Sequence, residues 1–151
     1  KPVPIAWQHL RKPKRDMALV GAAGPAANFV MAIFWAILAK FSHLIFMNPH
    51  VHETLRSTAT FMHQTSRFGI MINCVLLMIN LIPIPPLDGS RVVSSILSPA
   101  LAHKYERLEP YGLWIFLGLI FLLYVTHSTD LLFGPIETVI QWISNLFSLP
   151  A

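Results

Sequence analysis

Long uncharged apolar runs alternate along this chain with shorter polar segments that carry most of its charges. Uncharged runs cover residues 17–39 and 68–87, and a third covers residues 111–126. A helix needs about 20 apolar residues to cross the hydrocarbon core of a bilayer. The pattern therefore predicts three membrane-spanning helices.

The segments between these runs have different patterns. Residues 1–16 contain three prolines and predict an extended or turning basic loop. Residues 40–67 read as a polar connector with a helix that begins near Val51. Asp88 to Leu97 predicts a short amphipathic helix that ends near a Ser-Pro pair. The last run, residues 131–149, is interrupted by a Gly-Pro pair and predicts either a fourth span or an interfacial helix.

Composition agrees with a membrane protein. The chain has 151 residues, of which 54% are hydrophobic and 12% charged, whereas soluble domains carry about 25% charged residues. We expect one all-α, multi-pass membrane domain over residues 1–151. Eight of its eleven Lys and Arg residues fall in segments 1–16 and 88–109, which places these segments on the cytoplasmic side. The positive charge thus reflects topology rather than nucleic-acid binding.

The second run ends in Asn80-Leu-Ile-Pro-Ile-Pro-Pro-Leu-Asp88-Gly89. A carboxylate in hydrocarbon costs about 2.5–3.5 kcal/mol on insertion scales, so Asp88 is expected to face water or a cation. If the prolines break the helix, Asn80 and Asp88 can line one pocket. Asp88 could then bind a divalent metal while Asn80 contacts a substrate carbonyl or oxyanion. The alternative is that Asp88 is the N-cap of the next helix.

A second motif, Gly24-Pro25-Ala-Ala-Asn28, lies inside the first run. A proline within a spanning helix frees a backbone carbonyl, and a buried amide needs a partner. One interpretation is a hydrogen-bonded contact between helices beside a kink. The other is that this Gly/Ala face packs against a catalytic helix, with Asn28 supporting that helix or a bound chain.

Together, the two motifs resemble the core of the site-2 protease family of intramembrane zinc metalloproteases, in its small bacterial form. The resemblance covers about residues 1–97. It implies a Zn²⁺ cofactor with Asp88 as its third protein ligand, a substrate or transition-state contact from Asn80, and a supporting position for Asn28. It also implies a multi-pass protein of the bacterial cytoplasmic membrane whose partners are lipid and a membrane-spanning protein substrate.

The family's other two zinc ligands and its general base come from a His-Glu-x-x-His motif on an earlier helix, where two histidines one turn apart hold the metal. The nearest match is His52-Glu53-Thr-Leu-Arg56, in which Arg56 replaces the second histidine. We expect that the chain is truncated upstream; the alternative is a pseudoprotease that binds membrane partners without zinc. A transporter with a broken helix at residues 83–86 is a more distant alternative.

Four histidines fall within 21 residues of the predicted connector: His43, His50, His52 and His63. One interpretation is a transition-metal site, with His50 and His52 on one side of an extended strand. The other is a set of solvated histidines on a loop.

Overall fold

The computed structural model describes residues 13–149, which form helices and no strand, as the sequence predicts. A 3₁₀ turn, Glu109–Tyr111, precedes the fifth α-helix. The α-helices are α1 (Pro13–Met47), α2 (Glu53–Leu81), α3 (Asp88–Ile96), α4 (Pro99–Glu106), α5 (Gly112–Val125) and α6 (Asp130–Leu146).

These helices belong to two compact units. The first contains the described residues 13–25 together with 79–122, and the second contains residues 26–78 and 123–149. Both α1 and α2 contribute residues to both units. Asn80 and Asp88 belong to the first unit, and Asn28 belongs to the second.

Two helical stretches in the described part of the chain are long and apolar enough to cross a membrane, Lys14–Met47 and Pro99–Val125. At about 1.5 Å per residue α1 is roughly 50 Å long, which exceeds the ~30 Å hydrocarbon core. Only Gly112 of α5 is buried, whereas Trp114 is 72% and Phe121 68% exposed. Such an outward-facing apolar surface is expected of a helix that contacts lipid.

The three predicted spans therefore need correction. The first lies within α1, and the third is extended backward by α4 to give the second candidate span. The run at 68–87 is not one of these two stretches; it lies in the second half of α2, which starts in a polar region at Glu53 and ends at Leu81, and its role as a span stays a prediction. Pro83, Pro85 and Pro86 cannot continue the helical hydrogen bonding.

The predicted connector at 40–67 was also too long. Only residues 48–52 separate α1 from α2, because a helix satisfies its backbone hydrogen bonds internally whether its side chains are apolar or polar. The helix predicted from Val51 begins two residues later, at Glu53.

At the N-terminus, the predicted loop 1–16 is wrong for residues 13–16, which form the first turn of α1, and residues 1–12 lie outside the described residues. Proline is well tolerated in the first turn of a helix because its missing N–H has no partner there. Near the other terminus, α6 continues through Pro135 without a break. That this last element is a span or an interfacial helix stays a prediction.

The core of the second unit is built around small side chains of α1. Ala32, Ala36 and Ala39 are fully buried and lie on one face, where they form a cluster with apolar residues of α2 and α6. Further along this pairing, the α2 backbone at Gly69 lies against the indole of Trp35, with no room for a β-carbon. Small residues allow such close approach between helices.

In the first unit, α3 is a nine-residue helix with an extended residue at each end. Leu87 has φ −65° and ψ 154°, and Leu97 has φ −67° and ψ 157°. These bounds confirm the short helix predicted at 88–97. Pro99 then starts α4, so prolines flank α3 on both sides along the sequence.

Candidate functional site

Asp88 is the first residue of α3. The N-cap position belongs to Leu87, and no side chain caps this helix. The interpretation of Asp88 as an ordinary N-cap is therefore wrong. A helix N-terminus favours a negative charge because its amide dipoles point toward it, so the position suits an ionised carboxylate.

Two glycines of α1 bring its backbone against the start of α3. A β-carbon at Gly21 would lie 2.7 Å from the carbonyl oxygen of Asp88 and 2.9 Å from Cβ of Arg91. One turn later, a β-carbon at Gly24 would overlap the Asp88 carboxylate itself, at Oδ2. The absence of side chains at these two positions leaves the space that the carboxylate occupies.

The charge of Asp88 is only weakly compensated within α3. Arg91 Nε lies 3.9 Å from Asp88 Oδ1, with 40% of the arginine and 30% of the aspartate side chain exposed. A pair at this distance and exposure contributes little, typically 0–1 kcal/mol. Asp88 thus keeps an accessible carboxylate that a cation could bind.

The backbone between α2 and α3 is a proline break, as predicted. Ile84 N–H donates to the Ile82 carbonyl at 2.9 Å, and Leu87 N–H donates to the Ile84 carbonyl at 2.8 Å. The Pro85–Pro86 peptide bond is cis. These short-range bonds turn the chain within a few residues.

Residues from other elements hold this break in place. The Tyr105 hydroxyl donates to the Pro83 carbonyl at 2.7 Å. The backbone of Gly112 packs directly on the Pro85 carbonyl. At Gly89, a β-carbon would lie 2.5 Å from the Leu81 carbonyl oxygen, so α3 begins in close contact with the end of α2. Asp88 is therefore fixed by backbone contacts on several sides.

The two predicted asparagines lie in different units. Asn80 is half-buried in the last turn of α2, so it precedes the break that Asp88 follows within the same unit. Asn28 is half-buried in α1, three residues after the buried Pro25. The common pocket of Asn80 and Asp88 and the supporting role of Asn28 stay predictions.

Asp88 does not make a zinc site with its neighbours alone. Among residues 13–149, no three His, Cys, Asp or Glu side chains come together as a metal-binding group. Zinc sites in proteins use three or four such ligands. At this site, the described residues thus fit zinc only through the one carboxylate ligand that Asp88 could supply.

The first unit also contains an open cavity of about 400 Å³. It lies between the start of α1, the C-terminal end of α3, and α4; Ser94 of α3 and Leu97, which follows α3, are among its lining residues. Its lining includes neither Asp88 nor Asn80. The cavity is therefore separate from the predicted substrate contacts.

Residues 7–125 match the family model described as Peptidase family M50, which is the site-2 protease family. The chain belongs to that family. The match includes Gly24, the proline break and Asp88, and it extends beyond the resemblance over residues 1–97 to the end of α5.

A curated relative of this M50 chain is the protein named "Putative zinc metalloprotease YwhC" of Bacillus subtilis. It is 29% identical over 152 residues, an alignment that covers 97% of this chain and 65% of the relative. The chain thus spans less than two thirds of that protein's length. No solved structure gives a significant match to this chain.

Several residues that pack around Asp88 and the proline break were not identified from the sequence. The Gly/Ala composition of α1 indicated close helix packing, but nothing showed that Gly21 and Gly24 are the two positions facing Asp88. Tyr105 and Gly112 gave no signal, because their contacts with the break join residues more than twenty positions apart. Gly89 was visible only as part of the Leu-Asp-Gly motif.

Proposed function

We propose that the full-length protein is a zinc-dependent endopeptidase that cleaves membrane-spanning proteins near the cytoplasmic face. Family membership and the zinc metalloprotease name of the relative support peptidase activity and the metal. The observation that carries the proposal is the placement of Asp88: an accessible carboxylate, not used as a cap, at the start of a helix held by close backbone contacts. Asp88 would supply one zinc ligand, and the remaining ligands and general base would come from outside the described residues.

Each of the other predicted residues would act on the substrate or its surroundings. Asn80 would donate a hydrogen bond to the substrate carbonyl or to the oxyanion that replaces it. Asn28 would support the helix beside the reacting chain. Peptide bonds inside a substrate helix are already hydrogen-bonded, so the substrate must unwind locally; the proline break would offer a polar surface to the unwound segment.

The test is to compare Asp88→Ala and Asp88→Asn with the parent in full-length protein reconstituted in liposomes. We expect both variants to lose bound zinc and the cleavage of a membrane-spanning reporter while they remain folded. Zinc content by elemental analysis, cleavage by gel and folding by circular dichroism would be measured on the same samples. Full activity in Asp88→Ala would refute the ligand assignment.

Asn80→Ala separates the substrate role from metal binding. We expect this variant to retain zinc and to cleave more slowly. Loss of zinc in Asn80→Ala would instead assign Asn80 a structural role.

The pseudoprotease remains the second candidate because the described residues contain no three-ligand metal group. It predicts full-length protein that binds membrane partners but contains no stoichiometric zinc after purification in zinc-containing buffer. One zinc per chain, lost in Asp88→Ala, would exclude it.

A further inference from the structure

A pair of histidines in the second unit joins the two long helices near the connector. His43 is on α1 and His63 on α2, and their ring centres are 5.5 Å apart with planes inclined at 40°. Both side chains are half-buried. The five-residue connector makes α1 and α2 antiparallel, so residues twenty apart in sequence become neighbours.

A hydrogen bond fixes the orientation of the His63 ring. Its Nδ1 lies 3.1 Å from the carbonyl oxygen of Ala39, and because a carbonyl can only accept, Nδ1 must carry the proton. In the neutral ring this leaves the lone pair on Nε2. Ring nitrogens that bind metals typically have this arrangement, in which the opposite nitrogen donates to a backbone carbonyl or carboxylate.

The same carbonyl explains why the two rings meet. Within α1, the Ala39 carbonyl also accepts the amide N–H of His43, four residues later. His63 is therefore anchored at the helical turn from which His43 projects. Two imidazoles bound to one ion at about 2.0–2.1 Å, with a tetrahedral angle between them, have ring centres about 5 Å apart, close to the observed separation.

Lys40, three residues before His43 on α1, has its ammonium group hydrogen-bonded to another part of the unit. Its Nζ donates to the Ser148 carbonyl at 3.4 Å. In the described part of the chain no third His, Cys, Asp or Glu joins the two rings in a metal-binding group, so the remaining coordination positions would be filled by water.

We propose that His43 and His63 form a two-histidine site for a divalent transition-metal ion that fastens α1 to α2. Imidazole nitrogen suits Zn²⁺, Cu²⁺ and Ni²⁺. This site is independent of the proposed peptidase centre. It does not include Asp88, and its metal binding does not require peptidase activity. Its consequence is that bound metal stabilises the helix pair.

The experiment uses full-length protein carrying Asp88→Ala, stripped with chelator, so that an Asp88-dependent metal centre does not contribute. Ni²⁺ alone is titrated by calorimetry, and thermal unfolding is followed with and without it. We expect this protein to bind one more Ni²⁺ per chain than the same protein carrying His43→Ala, and to show a rise in Tm that His43→Ala abolishes. His50→Ala, an exposed histidine of the connector, serves as the matched control and should behave as the parent.

His63→Asn separates metal binding from helix packing. The asparagine amide can donate to the Ala39 carbonyl in place of Nδ1, but it lacks the atom corresponding to Nε2. We expect the metal-free Tm to be kept and Ni²⁺ binding to be lost. Unchanged Ni²⁺ affinity in both His43→Ala and His63→Asn, or no binding in the parent, would overturn the site.

Discussion

Gly24 in the first unit and Gly69 in the second are helical glycines against which another residue's side chain is packed. At Gly24 the neighbour is the flexible end of Asp88, whereas at Gly69 it is the rigid indole of Trp35. An added methyl group at Gly24 can be accommodated by rotation of a carboxylate, but at Gly69 it requires a ring or a helix to move. The same absence of a β-carbon thus shapes a polar site in one unit and tight packing in the other.

The largest effect on activity is expected for Gly24→Ala. The new methyl group displaces Asp88 Oδ2, and mutation of residues that orient a metal ligand typically costs 10–100-fold in metal affinity or activity. We expect roughly that loss in reporter cleavage by full-length protein, with a change in unfolding free energy below about 1 kcal/mol because alanine is the better helix former. Unchanged kcat/KM would show that the Asp88 carboxylate does not need its observed position.

Gly69→Ala should have the opposite effect to Gly24→Ala: it should lower stability and leave activity unchanged. Its methyl group overlaps the Trp35 indole, and overpacking of this kind costs about 1–3 kcal/mol. We expect a lower Tm with activity per folded molecule unchanged. Trp35→Phe combined with Gly69→Ala should recover part of the stability, and failure to do so would place the strain elsewhere.

These two sites also show how far the sequence could predict the structure. The Leu-Asp-Gly motif and its prolines indicated α3 and its bounds, since prolines have strong local effects; the role of Asp88 stays a prediction. The partner of Asp88 could not be predicted, because Gly21, Gly24 and several alanines all fit a closely packed face. The choice among them depends on the rotation of α1 about its axis, which only tertiary contacts determine.

The same limit applies to the histidines and to the helix bounds. The sequence favours His50 and His52 as a pair because they lie only two residues apart, whereas the structure pairs His43 with His63. The polar residues between 40 and 67 suggested a long connector, but helices outside or beside a membrane tolerate polar side chains on an exposed face. Apolar runs therefore predicted the centres of α1 and α2 better than their ends.

A smaller effect on stability is expected for substitution of Tyr105. This substitution tests whether the proline break holds Asp88 in position. Tyr105→Phe removes the hydroxyl that donates to Pro83, and the loss of one such bond costs about 0.5–1.5 kcal/mol. Chemical denaturation would measure it. A concurrent fall in cleavage rate would indicate that the break positions Asp88, while a stability change alone would make it scaffolding.

The smallest effects are expected at Gly118 and Gly134, which provide one control for each unit. A β-carbon at either position meets no atom within 4 Å. Alanine should therefore stabilise the helix by up to about 1 kcal/mol, with no change in cleavage. A marked loss of stability in Gly118→Ala would reveal a contact of α5 beyond the described chain.

The extended residues Leu87 and Leu97 have a consequence for hydrogen exchange. The backbone hydrogen-bond ladder of α3 ends at these two residues, so its nine residues can open without unwinding α2 or α4 once their packing contacts with those helices and α1 loosen. Short segments of this kind are expected to exchange their amide protons through local openings, well below the global unfolding free energy. A cation held by Asp88 would slow that exchange in α3 more than elsewhere, so isotope uptake by this one helix would report occupancy of the carboxylate.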